Sequence, residues 1–486
     1  MKKFISVKKY NIGVYPPAGG FFWLIMSKTR FKLSRKWTIF SVTANGTFMS
    51  TLSAGIVTIA LPTMAQQFQV AIDDIQLVVS FYLLVLTCLL PVFGKLSDIY
   101  SRKWMYLGGF ITFGVGALLG ALSNSLGMML FARGVQGVGS SAMMATSQAI
   151  ITQVFHGKSR GKAFGAIGAV VACGGLAGPA IGGALIQWWG WKSIFWLTIP
   201  ICLVGVWRGI YIIPRFLSHQ HIHLDRHGSV YYVIASFTFL YPLSTGSAAG
   251  WANPKILACF LLAVIFGWLL IRREQTSPHP FIGLSIFKIP AISYGLAVAI
   301  LGFTSLFTNS VLLPFYLTEI LHMHPLKIGL LMLPFPITLA ITSTVSGALC
   351  ARWPARIITT IGFGFLVLST LMFAFIGQAP SISYIILAQL IMGTGSGTFQ
   401  VPNNTTVLSA APKEHLGVVA SVNALARNVG MILGTVLSVA VYTLVQQIAT
   451  QHSVTPETSF IYGYMAALLF GAVCAVAGGI LSAKRD

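Results

Sequence analysis

The sequence predicts an all-α polytopic membrane protein: two related six-helix halves plus an inserted helix pair, fourteen transmembrane helices in all. Three observations predict it. Hydrophobic residues make up 56% of the chain and charged residues 8%, whereas a soluble domain carries about 25% charged residues. Charge-poor stretches of roughly 18–30 residues recur along the chain, each enough to cross about 30 Å of hydrocarbon. The chain also repeats itself at an offset of about 256 residues.

The charge-poor stretches fall near 37–65, 75–94, 104–123, 126–150, 163–187, 193–213, 229–247, 254–271, 291–318, 328–350, 357–378, 382–408, 417–446 and 460–483. An even number of spans puts both ends on one side. With that side cytoplasmic, Lys192, Lys255 and Lys327 fall outside and Arg133, Arg208 and Arg427 within spans. The rest of the 31 Lys and Arg are cytoplasmic, as the positive-inside rule requires. The formal net charge of +22 is then orientation and anionic-lipid contact rather than nucleic-acid binding. Residues 1–36 carry no acidic residue and read as a disordered basic arm, with Met26 a candidate physiological start. Residues 37–213 form the N-terminal half, 214–272 the linker loop and inserted pair, 273–483 the C-terminal half and 484–486 a cytoplasmic tail. The six cysteines all sit in apolar runs and read as small hydrophobes.

The repeat is visible residue by residue. Ala132-Arg133-Gly134-Val135-Gln136-Gly137-Val138-Gly139 matches Ala388-Gln389-Leu390-Ile391-Met392-Gly393-Thr394-Gly395, and Gly161, Gly174 and Gly178 match Gly417, Gly430 and Gly434. Gly94-Lys95-Leu96-Ser97-Asp98 matches Gly347-Ala348-Leu349-Cys350-Ala351 more loosely. Parallel repeats with a site at their seam are a transporter architecture. The halves have diverged unevenly: Arg133 has become Gln389, Asp98 has become Ala351, and Pro179 has become Thr435.

Three motifs carry the chemistry. In the fifth span Gly165, Gly174, Gly178, Pro179, Gly182 and Gly183 are fixed in one uncharged run. Glycines four apart admit a second helix to backbone contact, and Pro179 removes a helical hydrogen bond and is expected to bend the helix. Between spans 2 and 3 lies Gly94-Lys95-Leu96-Ser97-Asp98-Ile99-Tyr100-Ser101-Arg102-Lys103. There Asp98 can accept from Arg102, and Gly94 admits the neighbouring half, a candidate cytoplasmic gate. The fourth span carries Leu126, Arg133, Gln136, Gly137 and Gly139. A mid-span arginine costs about 2.5–3.5 kcal/mol on insertion scales and needs a polar partner or a water-filled cavity. Arg427 poses the same question in span 13, whereas Arg208 lies near a span end and reads as structural.

The fifth-span run resembles, position for position, the antiporter motif of exporters in the major facilitator superfamily; the loop resembles that superfamily's loop signature, with Ile99 in place of an arginine and Ser101 in place of a glycine, and the fourth span resembles its fourth-span motif. The first span, Leu52-Ser53-Ala54-Gly55-Ile56-Val57-Thr58-Ile59-Ala60-Leu61-Pro62, is similar to that of the fourteen-span drug:proton antiporter group. Asp225-x2-Gly228, Gly250-Trp251 and Pro280-Phe281 through Phe287 agree with that group. The resemblance implies a secondary active exporter of a small amphipathic compound, working by alternating access, with Arg133 linked to proton coupling.

One departure redirects the mechanism. Where the group has an aspartate this chain has Ser53, and none of the nine acidic residues lies in a span interior. Without a membrane carboxylate a lipophilic cation has no counter-charge, and Arg133 with Arg427 would leave the cavity positive or neutral. An anionic, zwitterionic or neutral amphipath fits better, and Ser53→Asp is expected to shift selectivity towards cations. Asn45, Ser53, Gln136, Asn309, Gln389, Gln400, Asn403, Asn404 and Asn423 are candidate seam residues, and each reads equally well as helix–helix glue. Tyr82 and Phe48 can stack on a ligand or simply pack.

No other class competes strongly. His219, His221, His223, Asp225 and His227 alternate in the loop before span 7 and read as a solvated basic loop. No phosphate cradle, catalytic pair or cofactor motif is present, so neither ATP drive nor an enzyme is implied. The expected partners are a small substrate, membrane lipids and protons, on a monomer. The alternatives are export or flipping of an anionic or zwitterionic lipid-like or metabolite substrate without a membrane carboxylate, uptake, and a non-transporting receptor or scaffold.

Overall fold

The computed structural model describes residues 35–485 except 156–157, 215–224, 251, 278–280, 282, 351, 379 and 413–415. The side chains of Asp98, of several α5 residues and of a few other helical positions also lie outside the description. The helices run in chain order: α1 (Arg35–Phe68), α2 (Leu77–Ile99), α3 (Arg102–Leu122), α4 (Leu126–Val154), α5 (Lys158–Trp189), α6 (Ser193–Ile212) and α7 (Arg226–Ala249). Then come α8 (Pro254–Thr276), α9 (Pro290–Phe315), α10 in two pieces (Pro325–Leu331 and Pro334–Leu349), α11 (Ala355–Ala374), α12 (Ile382–Ser409), α13 (Leu416–Gln451) and α14 (Pro456–Ala483). A short turn, Ile72–Ile75, precedes α2. No strand occurs among the described residues. Eleven helical segments are long and apolar enough to cross a membrane. The remaining long helices, α4, α5 and α7, have 29, 32 and 24 residues.

Helix starts follow from local chemistry. Ser125, Asp225, Asn253, Ser381 and Thr455 each accept a backbone N–H of the following first turn, satisfying donors that a helix start leaves orphaned. Pro254, Pro325 and Pro456 occupy first-turn positions where the missing N–H costs nothing. After α5, Gly190 takes φ +74°, a left-handed turn that a side chain resists. Pro179 does not break α5, which runs on as one helix.

The packing repeats with the sequence. In the first half α1 lies on α5, α2 on α4, α3 on α4, and α3 on α6; in the second half α9 lies on α13, α10 on α12, α11 on α12, and α11 on α14. Glycines set both copies of these contacts. A Cβ at Gly137 would lie 3.0 Å from Tyr82 O on α2, and at Gly393 it would meet Phe335 O on α10. A Cβ at Gly139 would lie 2.6 Å from Gly109 O, and at Gly395 2.8 Å from Gly362 O. With backbones this close, dispersion contacts and interhelical hydrogen bonds can hold a bundle that has no hydrophobic drive in lipid.

Two equivalent contacts join the halves, α5 to α10 and α13 to α2. The inserted pair is not equivalent to either half. Helix α7 packs on α2, α13 and α8, and α8 packs on α7 while turning Leu257, Leu261, Val264 and Trp268 outward. Large exposed hydrophobes on most helices mark a surface suited to lipid. One continuous buried cluster runs through both halves, from Met64 and Val78 to Tyr316 and Leu331.

Candidate functional site

The seam between the halves is built by α5. Gly174, Gly178 and Gly182 form its α1 face. A Cβ at Gly178 would lie 3.1 Å from Ile56 N, one at Gly182 2.7 Å from Ile56 Cγ1, and one at Gly174 would run into Thr51 Oγ1. Pro179 and Gly183 form a second face, towards the other half. A Cβ at Gly183 would lie 2.6 Å from Pro325 O, and one at Gly329 would strike Pro179 O. Both contacts are near the end of α5 and the start of α10, on the face away from the chain termini. Gly165 has no described surroundings.

On the termini face Gly94 stands clear of the other half. A Cβ at Gly94 would find nothing within 4 Å, so the second half does not approach Gly94 in this conformation. Arg102 Nη1 donates to Gln153 Oε1 at 2.5 Å and to Ala149 O at 3.3 Å on α4. The Asp98 side chain, and with it the Asp98–Arg102 pair, lies outside the description.

Deep in the first half the sequence-predicted residues converge. Arg133 on α4 is fully buried. Its Nε donates to Val78 O at 2.9 Å, and its Nη1 to Ser53 Oγ at 2.9 Å and Gln136 Oε1 at 2.8 Å. The guanidinium sits 4.2 Å from the centroid of the Tyr82 ring. Arg133 Nη2 and Gln136 Nε2 have no partner, and among the described residues no carboxylate reaches Arg133. Ser53 thus stands beside the buried guanidinium as an uncharged acceptor.

This geometry selects between alternatives that the sequence left open for Arg133 and Tyr82. Arg133 does not line an open cavity here, because it is sealed between α1, α2 and α4. Tyr82 is not available to stack on a ligand, because it is fully buried and its hydroxyl is shared with Ser50 and Ser140. Phe48 is partly buried against the core. Several candidate seam residues are glue. Asn309 accepts from the Tyr464 hydroxyl at 2.8 Å and Asn403 donates to Gly295 O at 2.9 Å, each bond between helices, whereas Gln400 donates to Ser396 Oγ on its own helix at 2.5 Å. Gln389 is buried, and Asn45 is partly exposed on α1. Asn423 Nδ2 donates to Asn404 Oδ1 at 2.8 Å, joining α13 to α12. Arg208 donates to Ser41 Oγ at 2.9 Å, in line with a structural role.

Sequence reasoning missed Arg485. Its Nη1 donates to Asn403 Oδ1 at 2.7 Å and its Nη2 to Ala291 O at 2.9 Å, pinning the end of α14 across α9 and α12. Burial holds its pKa down to about 10. Nothing in a terminal Lys-Arg-Asp signals this contact. Asp225, expected as a group landmark and as part of the solvated basic loop, caps α7 through Gly228 N at 3.1 Å and pairs with Arg273 of α8 at 3.0 Å. It ties the inserted pair together. Burial pushes its pKa up, but the Arg273 bonds and the Gly228 N–H outweigh that and hold it below the usual carboxylate value. Of the histidine run, His219, His221 and His223 lie outside the description, and among the described residues no metal-ligating cluster forms. The five described cysteines are free. An apolar crevice of about 440 Å³ between α2, α4 and α7, lined by Phe81, Val85, Phe131, Gly134 and Tyr241, lies apart from the α5–α10 seam.

Known proteins place this architecture. The chain is 33% identical over 404 residues to the riboflavin transporter RibZ of Clostridioides difficile, covering 83% of this chain and 87% of that one. It is 28% identical over 393 residues to the multidrug resistance protein Stp of Mycobacterium tuberculosis, covering 81% and 73%. Among solved structures, the human organic anion transporter MFSD10 superposes with a TM-score of 0.61, covering 92% of this chain and 99% of that one at 15% identity, a likeness of fold. The profile of the Major Facilitator Superfamily matches residues 43–435. With its repeated six-helix packing and glycine-built seam, the chain is a multi-pass membrane protein that belongs to the Major Facilitator Superfamily.

Proposed function

We propose that this protein is a secondary active exporter of the fourteen-span antiporter type, in the cytoplasmic membrane with both termini inside, moving a neutral or anionic amphipathic molecule. The observation that carries the reading is the Arg133 site. A transporter of lipophilic cations gains from a carboxylate in its membrane interior, and here the position beside the buried guanidinium holds Ser53, an uncharged acceptor. Positive-inside charge supports the orientation. Contact of the halves away from the termini, with Gly94 unapproached, supports a conformation open to the cytoplasm. The antiporter-like glycine run of α5 supports export. Gly94, Asp98 and Arg102 would act as the cytoplasmic gate, and the glycines of α5 as the surface on which the halves rock. Proton coupling, where it occurs, would use a group other than a membrane carboxylate.

The relatives' names fit a broad amphipathic range, including a flavin. The test is flux through the full-length protein in proteoliposomes, using riboflavin as the neutral probe and ethidium as the lipophilic cation. Riboflavin movement with negligible ethidium movement is expected. Strong pH-driven ethidium efflux by the unmodified protein would overturn the reading and restore a cation:proton antiporter. Growth inhibition of cells with and without the protein, over a compound panel, then narrows the substrate.

A further inference from the structure

Two arginines lie well inside the helices of the seam, and they differ in what they touch. Arg133 has three hydrogen bonds and an aromatic ring, and is sealed. Arg427 is partly exposed and has no hydrogen bond or ion pair among the described residues. It stands on α13 about 16 Å from that helix's first residue, at ~1.5 Å per residue. One turn earlier on the same face, Asn423 reaches across to the exposed Asn404 of α12. The next residue, Asn428, is buried with its Nδ2 donor unpartnered. Gly430 and Gly434 hold α13 tightly on α9, with a Cβ at Gly430 placed 2.5 Å from Ile300 O. The helix that carries Arg427 is therefore fixed by backbone contact, while the guanidinium has no protein partner among the described residues.

An unpaired cation at this depth is costly unless water or an anion reaches it. No span interior offers a carboxylate to pair with it. A guanidinium presents a planar fork of donors matched to carboxylate and phosphate oxygens.

We infer that Arg427 is the substrate's anion-recognising residue, taking a carboxylate or phosphate group of an amphipathic molecule through its free guanidinium. The inference rests on the transport reading above and sharpens its substrate class from neutral-or-anionic to anionic. Arg133 is excluded from that role by its burial between α1, α2 and α4. Arg427 sets specificity, and the apolar remainder of the substrate lies on the surrounding helices.

A matched pair of probes tests it: flavin mononucleotide, which carries a phosphate, and riboflavin, which is the same ring and chain without it. Binding to the purified full-length protein is read by flavin fluorescence. The wild type is expected to bind the phosphate ester about tenfold or more tightly than riboflavin, the range of one charge-assisted contact. Arg427→Gln is expected to abolish that preference while leaving riboflavin affinity within about twofold, and Arg427→Lys to keep part of it. Equal loss for both probes in Arg427→Gln, or no preference in the wild type, overturns the inference. A second readout needs no variant. Phenylglyoxal should label Arg427 and spare Arg133, and flavin mononucleotide but not riboflavin should protect Arg427. Labelling of Arg427 that the phosphate ester leaves unchanged also overturns it. The two readings fail separately: riboflavin flux without phosphate preference leaves transport standing and removes the anion site, whereas absence of flux for both probes removes the transport reading for this chemistry.

Discussion

Ser53→Asp puts a carboxylate where Ser53 Oγ now accepts from Arg133 Nη1 at 2.9 Å. Sequence reasoning alone expects this change to draw cations into the cavity. The geometry gives a different outcome, because the new charge is held by Arg133 before any ligand reaches it. One aspartate oxygen replaces the serine acceptor, and the second is placed to accept from Nη2, which has no partner. A bidentate, charge-assisted contact of this kind is worth about 1.5–3 kcal/mol, partly offset by the cost of burying the carboxylate. At an effective dielectric constant of ~20 the Coulomb attraction at 4 Å is about 4 kcal/mol, so attraction outweighs a moderate desolvation cost. The net expectation is stabilisation by about 1–2 kcal/mol and unchanged exclusion of ethidium. The assay is thermal unfolding of the detergent-solubilised protein across a double-mutant cycle with Arg133→Gln. Ser53→Asp should raise the midpoint, and in the Arg133→Gln background it should lower it, because the carboxylate is then buried alone. Additive midpoints, or a lower midpoint for Ser53→Asp by itself, would refute the pairing.

The other predictions concern closure and anchoring. Gly329→Val should prevent the halves from meeting away from the termini, since even a Cβ there strikes Pro179 O; flux should vanish at normal membrane abundance, and native flux would remove the role of this contact. Gly178→Val is milder, with its Cβ 3.1 Å from Ile56 N, and should slow transport rather than block insertion. Asp98→Asn and Arg102→Gln should couple in flux, and purely additive effects would reject the gate. Asp225→Ala loses a helix cap and an ion pair, an expected cost of about 1–2 kcal/mol. Because the folded pKa of Asp225 is depressed, its stabilisation is complete above the unfolded value near ~4 and fades as pH falls below it. Acid melts of wild type and Asp225→Ala should therefore converge, and parallel curves would show that the pair contributes nothing.

The helix count and the duplicated packing are legible because lipid forces every backbone group into a helix and leaves gaps in the charge pattern. The α1 face of α5 is legible for a similar reason: glycines at 174, 178 and 182 share one side of a helix with ~3.6 residues per turn. The partner of Gly183 is not legible. Pro325 and Gly329 belong to the other half, and only the three-dimensional placement of α10 brings them there. The burial of Arg133 is likewise hidden, because a polar residue in a span satisfies the same sequence rule whether it bonds a neighbouring carbonyl or faces water. Spacing puts Arg133 and Gln136 on one helical face; only packing supplies Val78 O and Ser53.

The two contacts between the halves are related by the repeat but differ in chemistry. At the offsets of the repeat, Gly183 corresponds to Val439 and Gly329 to Gln76. Where α5 meets α10 the surfaces are backbone on backbone. Where α13 meets α2 both corresponding positions carry side chains, and both are fully buried. Gln76 moreover donates to Ser244 O on α7 at 3.3 Å, so the inserted pair braces that side of the seam. Halves that rock to open this face must part a smooth glycine contact on one side and a filled, braced contact on the other. The smooth side can separate without leaving buried side-chain polar groups unpaired, whereas the braced side must carry α7 with it or give up that hydrogen bond. The asymmetry thus sets a backbone-on-backbone contact at α5 and α10 against a side-chain-filled contact, bonded to α7 of the inserted pair, at α13 and α2.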